Sequence, residues 1–176
     1  MLRVSTKARY ALRTMIELAL RQGERPVHLH DVGLAQQLPV KYLEQLMILL
    51  RRAGLVRGER GSGGGYRLAR PAEEITALQI FSAVEGGLDL LACVVTPTVC
   101  ERSPTCVSRK LWMEAGRAMG GVLAGASLAD LRDEQRAAGD PTPSRGGVAR
   151  AASARTGAAP RSQADGARGR KRGIRT

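Results

Sequence analysis

Gly61, Ser62, Gly63, Gly64 and Gly65 stand in a row, and that run constrains the fold more than any other feature of the chain. It cannot continue a helix or a regular strand, and it offers the positive-φ positions that a chain reversal uses. The flanking stretches LVRGER and YRLAR are short, extended in character and rich in arginine. Residues 55–70 therefore predict a two-stranded β-hairpin with a glycine-rich tip.

Upstream, apolar residues recur at helical steps. Ser5 or Thr6 can cap a first helix with Ala8, Ala11, Leu12, Met15, Ile16 and Ala19 on one stripe, leaving Lys7, Arg9, Arg13, Glu17 and Arg21 outside it. Gly23 and Pro26 break that helix, and residues 27–29 can run extended. Asp31 can cap a second helix to about Leu38, with Val32, Ala35 and Leu38 inward. Pro39 opens a third, whose buried stripe is Leu43, Leu46, Met47 and Leu50 and whose stop is Gly54. Two short helices joined by a tight turn and followed at once by a hairpin predict a winged helix-turn-helix, mainly α with a small β wing.

Beyond the wing, Pro71 closes the hairpin, and Thr76 can cap a helix to about Val84 that Gly86 and Gly87 end. A long helix is expected from Val107 to about Ala124, with Leu111, Ala115, Ala118, Met119 and Val122 at helical spacing. Gly116, Gly120 and Gly121 each cost it about 1 kcal/mol relative to alanine, so it needs a packing partner. A short helix should follow over residues 127–138. From residue 139 the chain is Gly, Ala, Ser, Pro and Arg with almost no large apolar side chains, the composition of a disordered segment. Four parts are thus expected: a winged helix-turn-helix over 1–85, a cysteine loop over 86–106, a long helix in need of a packing partner with a short helix over 107–138, and a basic tail over 139–176.

Nine Arg and Lys against Asp140 and Asp165 place about +7 of the formal +12 charge in that tail. A basic chain attracts polyanions, because neutralising phosphates releases condensed counterions. No stretch approaches the roughly 20 apolar residues of a spanning helix, and the first twenty residues are interrupted by charge, so a cytoplasmic protein without membrane contact is expected. Nucleophile elbow, phosphate-binding loop and H-E-x-x-H are all absent, which argues against an enzyme.

Two constellations carry chemistry. A third helix set in the major groove would bring Lys41, Tyr42 and Gln45 to base edges, with Arg51, Arg52, Arg57, Arg60 and Arg67 available to phosphates or the minor groove. The cysteines are spaced Cys93-x6-Cys100-x5-Cys106, unlike the paired C-x2-C of common zinc sites. Three clustered thiols suit metal binding or redox chemistry, and soft thiolates suit an iron-sulfur cluster or zinc.

The stretches STKARYALRTMIELAL, KYLEQLMILLRRAGLV and RGSGGGYRLARP, with three cysteines followed by LW, closely resemble the Rrf2 family of winged-helix regulators over residues 1–131. The nearest branch is that of the iron-sulfur cluster regulators, with nitric-oxide-sensing repressors as cousins. The resemblance implies a homodimer formed by the helix at Val107–Ala124, a palindromic double-stranded DNA operator, and a wing of Arg60, Ser62, Gly63, Gly64 and Tyr66 at the neighbouring minor groove. It implies Cys93, Cys100 and Cys106 as ligands of a 2Fe-2S or 4Fe-4S cluster whose loss or modification changes operator affinity. Two positions depart from the pattern: Arg109 stands where the cluster regulators have a ligand histidine, and Arg9 where the nitric-oxide branch has an aspartate. Glu101, Asp89, a small thiol or water could take the fourth position, or three cysteines could be the full protein set. The alternative is a cluster-free regulator answering to thiol oxidation, a metabolite or a partner protein. A zinc-bearing or nucleic-acid-coating protein is a third reading.

Overall fold

The structure is a computed structural model, and it describes residues 4–139 apart from 24, 62, 63 and 89. The first helix, α1 (Thr6–Arg21), begins where the Ser5 hydroxyl accepts the Ala8 amide at 3.0 Å, one of the four amides a helix start leaves unpaired. Helix α2 (Leu29–Gln36) starts at His28 with no side-chain cap, so Asp31 lies in its first turn instead of capping it. Gln37 at φ 54° turns the chain, and Pro39 leads into α3 (Val40–Arg52). Leu43, Leu46, Met47 and Leu50 are the buried residues of α3, as their spacing requires. The Leu55 amide then donates to the Leu50 carbonyl and the Gly54 amide to that of Arg51, both at 3.0 Å, an ending that needs Gly54 at φ +68°.

Strands β1 (Val56–Glu59) and β2 (Gly65–Leu68) pair antiparallel, with Gly58 opposite Tyr66. Val27 adds an isolated bridge to Tyr66 through two 2.9 Å backbone bonds, so the tip end of β2 is stitched to the loop after α1. A side chain at Gly65 would put Cβ 2.6 Å from the Val27 carbonyl oxygen; only glycine permits the bridge.

Helix α4 (Ala77–Glu85) carries a reciprocal cap between Thr76 and Gln79 and ends at Gly86. It packs on α1, on α3 and, farther along the chain, on α6 (Val107–Gly125). The cysteine segment holds one turn, α5 (Ala92–Val95), and 3-10 turns at Pro97–Val99 and Ser103–Thr105. Helix α6 (Val107–Gly125) buries none of its residues; Val107, Leu111 and Val122 are 79%, 62% and 74% exposed. Two of its glycines, expected to serve approach by another helix, face the chain's own Leu88 and Leu90, with an ideal Cβ 3.5 Å from Leu88 at Gly120 and 3.8 Å from Leu90 at Gly116.

Helix α7 (Leu128–Ala138), capped reciprocally by Ser127 and Asp130, turns back onto α1. Leu128 and Ala129 join the same core as Ala11, Met15, Leu46, Ile75 and Ile80. A bridge from Thr76 to Ser127 fixes the return.

One expectation on α1 is overturned. Glu17, placed among the solvent-facing charges, is 1% exposed. A buried carboxylate needs partners to offset its desolvation, and it has them: Gln36 of α2 donates at 2.8 Å and Arg21 pairs with it one turn on. Arg13 holds Gln36 in turn, donating to its side-chain and main-chain oxygens at 2.8 and 3.0 Å. Among the described residues no helix is long and apolar enough to cross a membrane.

Candidate nucleic-acid interface and cysteine segment

The face of α3 opposite its core stripe is open. Lys41, Glu44, Gln45, Ile48 and Arg52 recur at three- and four-residue steps, and all are exposed. Tyr42 is half-buried, edge-on to Tyr10 of α1 with ring centroids 5.8 Å apart and planes at 88°. The guanidiniums of Arg9 and Arg13 lie 5.1 and 5.6 Å from the Tyr10 ring centroid. The start of α3 therefore shares a surface with two cations of α1, which the sequence reading had placed only as residues off the apolar stripe. The signal was there in Tyr10 set between basic residues, but its meaning depends on Tyr42, distant in sequence.

In the wing, Arg57 and Arg60 are exposed, while Gly64 and Tyr66 are half-buried beside the β2 pairing. Ser62 and Gly63 lie outside the described residues. Arg67, offered by sequence as a phosphate contact, is engaged within the chain: it pairs with Glu59 at 2.8 Å and donates to the Gly23 carbonyl at 2.6 Å. It ties the hairpin to the end of α1.

All three cysteines are free thiols of intermediate exposure. Cys106 sits directly before α6, its sulfur 3.2 Å from the Ser108 hydroxyl. That hydroxyl, and then the Arg109 amide, hold its pKa below the ordinary thiol value. Arg109 is half-buried, and its Nε donates to the Cys93 carbonyl at 2.8 Å, joining the first cysteine's backbone to the first turn of α6. The buried Ser103 hydroxyl, between Cys100 and Cys106, has no hydrogen-bond partner among the described residues. Soft thiols and an unpaired buried hydroxyl make a donor set whose chemistry fits iron and sulfide. Among the described residues, however, no three His, Cys, Asp or Glu side chains are gathered where they could hold one metal ion. Glu101 is exposed, and Asp89 lies outside the described residues.

Residues 4–134 match the family Rrf2, described as an iron-dependent transcriptional regulator. The regulator IscR of Serratia proteamaculans is 36% identical over 134 residues, which cover 76% of this chain and 81% of that protein. Protein rrf2 of Nitratidesulfovibrio vulgaris is 35% identical over 130 residues, 74% of this chain and 87% of its own length. Among solved structures, CymR, the global cysteine regulator of B. subtilis, aligns with a TM-score of 0.64 at 38% identity, over 76% of this chain and 98% of that one. T. potens IscR aligns at 0.62 and 36% identity, over 77% and 90%.

Proposed function

Since the chain belongs to the Rrf2 family of transcriptional regulators, we propose that it is a cytoplasmic homodimer that reads a palindromic operator with α3 and its wing, and takes its signal through an iron-sulfur cluster on Cys93, Cys100 and Cys106. The observation that carries the DNA reading is the α3 face: Lys41, Gln45 and Arg52 stand exposed on a helix whose other side is locked in the core. A helix so fixed can place Lys41 and Gln45 against base edges, with Tyr42 beside them, while Arg52 neutralises phosphate. The wing then supplies Arg60, Ser62, Gly63, Gly64 and Tyr66 to the adjacent groove or backbone. The partner is a second copy seated on α6, whose Val107, Leu111 and Val122 lie open in the single chain.

For the signal, Cys93, Cys100 and Cys106 would hold the cluster as thiolates. When bound, the cluster supplies redox and oxidant-labile chemistry. Arg109 keeps the Cys93 backbone against α6, and packing of α6 on α4 and of α4 on α3 is a continuous path from the cysteine segment to the reading helix.

A second reading has its own support. The cysteines are not gathered for a single metal ion, the Cys106 thiol is held below its ordinary pKa, and a structural relative is named a cysteine regulator. In that reading, oxidation of Cys106 is the signal and no cluster forms. Purification without oxygen, with iron and acid-labile sulfide assays on the protein and on Cys93→Ala, Cys100→Ala and Cys106→Ala, decides between them. Stoichiometric iron and sulfide, lost in the variants, is the expected result. A colourless protein that resists reconstitution yet binds a specific operator, with oxidation-sensitive affinity, would establish the thiol reading instead.

A further inference from the structure

A cleft of about 550 Å³ opens between the end of α1, the base of the hairpin and α7. Four arginines from three parts of the chain line it: Arg57 of β1, Arg70 just past β2, and Arg132 and Arg136 one turn apart on α7. Glu73 is the one acid among the lining residues. Arg132 is committed, forked onto Asp133 at 2.8 and 3.1 Å and 3.9 Å from Glu73. The other three are loosely held. Arg136 reaches Asp133 only at 3.6 Å, Arg70 makes one 3.3 Å bond to the Gln79 side chain, and Arg57 has no partner among the described residues. Neither α3 nor the cysteine segment contributes to this cleft.

Four arginines around one cleft outnumber their acidic partners, Glu73 and Asp133, and planar guanidinium forks fit the paired oxygens of phosphate and carboxylate. The volume is that of a small-molecule site. We propose that the cleft binds a small anion with several oxygens, a diphosphate or a polycarboxylate, held between Arg57 and Arg70 on one wall and Arg136 on the other. Such a ligand ties the base of the wing to α7. It would give this regulator an input separate from its cysteines. A DNA backbone phosphate carries the same oxygen chemistry, so the test separates the two sources.

Pyrophosphate and citrate are titrated calorimetrically, at constant ionic strength in sodium chloride, into the full-length protein, the double variant R70Q/R136Q and the single variant Arg136→Lys. The basic tail is common to all three, so differences report the cleft. In parallel, the salt dependence of affinity for a nonspecific duplex is measured for the wild type and the double variant. The expected result is saturable binding of pyrophosphate or citrate, weakened roughly tenfold or more in R70Q/R136Q. Arg136→Lys, which keeps the charge and loses the fork, should fall between, and the salt slope should not change. If neither small anion saturates but the double variant lowers the slope by about one to two, the anion site stands and its ligand is the DNA backbone. Equal heats for wild type and variants, together with an unchanged slope, overturn the proposal. Urea midpoints check that the double variant folds; if it does not, the single variant Arg136→Gln, which removes the charge, carries both arms in its place.

Discussion

A thiol that receives a hydrogen bond from a neighbouring hydroxyl and another from a helix-start amide gives up its proton more readily than one in water, and Cys106 has both in Ser108 and the Arg109 amide. Because the shift is downward, the thiolate persists to lower pH than in the unfolded chain and is lost only as pH falls through the depressed value. In metal-free protein, alkylation of Cys106 by iodoacetamide, followed site by site by mass spectrometry, should show a midpoint below the ordinary thiol value of about 8.5. Ser108→Ala should move that midpoint up; an unmoved midpoint would mean that the hydroxyl is a bystander. On α3, Gln45→Ala should relax base preference at one operator position by about 1–3 kcal/mol if its contact is bidentate, read by competition among operator variants. An equal loss on every variant would reassign Gln45 to the phosphate backbone. Which residues of α3 face outward is legible in sequence, because a polar residue opposite an apolar stripe announces its own side. Glu17 was not: its burial rests on Gln36, nineteen residues away, and a charged residue on an amphipathic helix ordinarily faces water.

Elements differ in the same way. Helix α3 was read correctly because its stripe, its proline entry and its glycine exit are all local signals. The hairpin was legible for the same reason, but its attachment was not, since the Val27 bridge and the Arg67 bond to Gly23 join segments far apart in sequence. Gly65→Ala tests that attachment. The added methyl would meet the Val27 carbonyl, so the variant should lose about 1–3 kcal/mol in urea denaturation as the bridge is forced apart. An unchanged midpoint would show that the wing stands without it. Helix α7 is the larger surprise: its sequence marked a short helix without saying what it would pack on. With Leu128 fully buried beneath α1, Leu128→Ala should cost about 2–5 kcal/mol, whereas the exposed Leu111→Ala on α6 should barely alter the stability of a single chain. If the second change instead lowers stability in a concentration-dependent way, it reports the dimer.

Across the whole molecule, charge is divided between residues 1–138 and a stretch from 139 rich in arginine, glycine and alanine, whose composition offers little for reading bases. Deleting residues 139–176 should weaken binding to any duplex and flatten its dependence on salt, while the ranking of operator variants stays as it was. A scrambled ranking in the truncated protein would give the tail a part in recognition. The return of α7 to α1 bears on how the protein is made. A chain leaving the ribosome has α3 and the hairpin by residue 70, yet the core they share lacks Leu128 and Ala129 until residue 129 has emerged. That core is thus complete only late in synthesis, and translation halted before that point would leave the apolar surface covered by Leu128 and Ala129 open to chaperones or proteases.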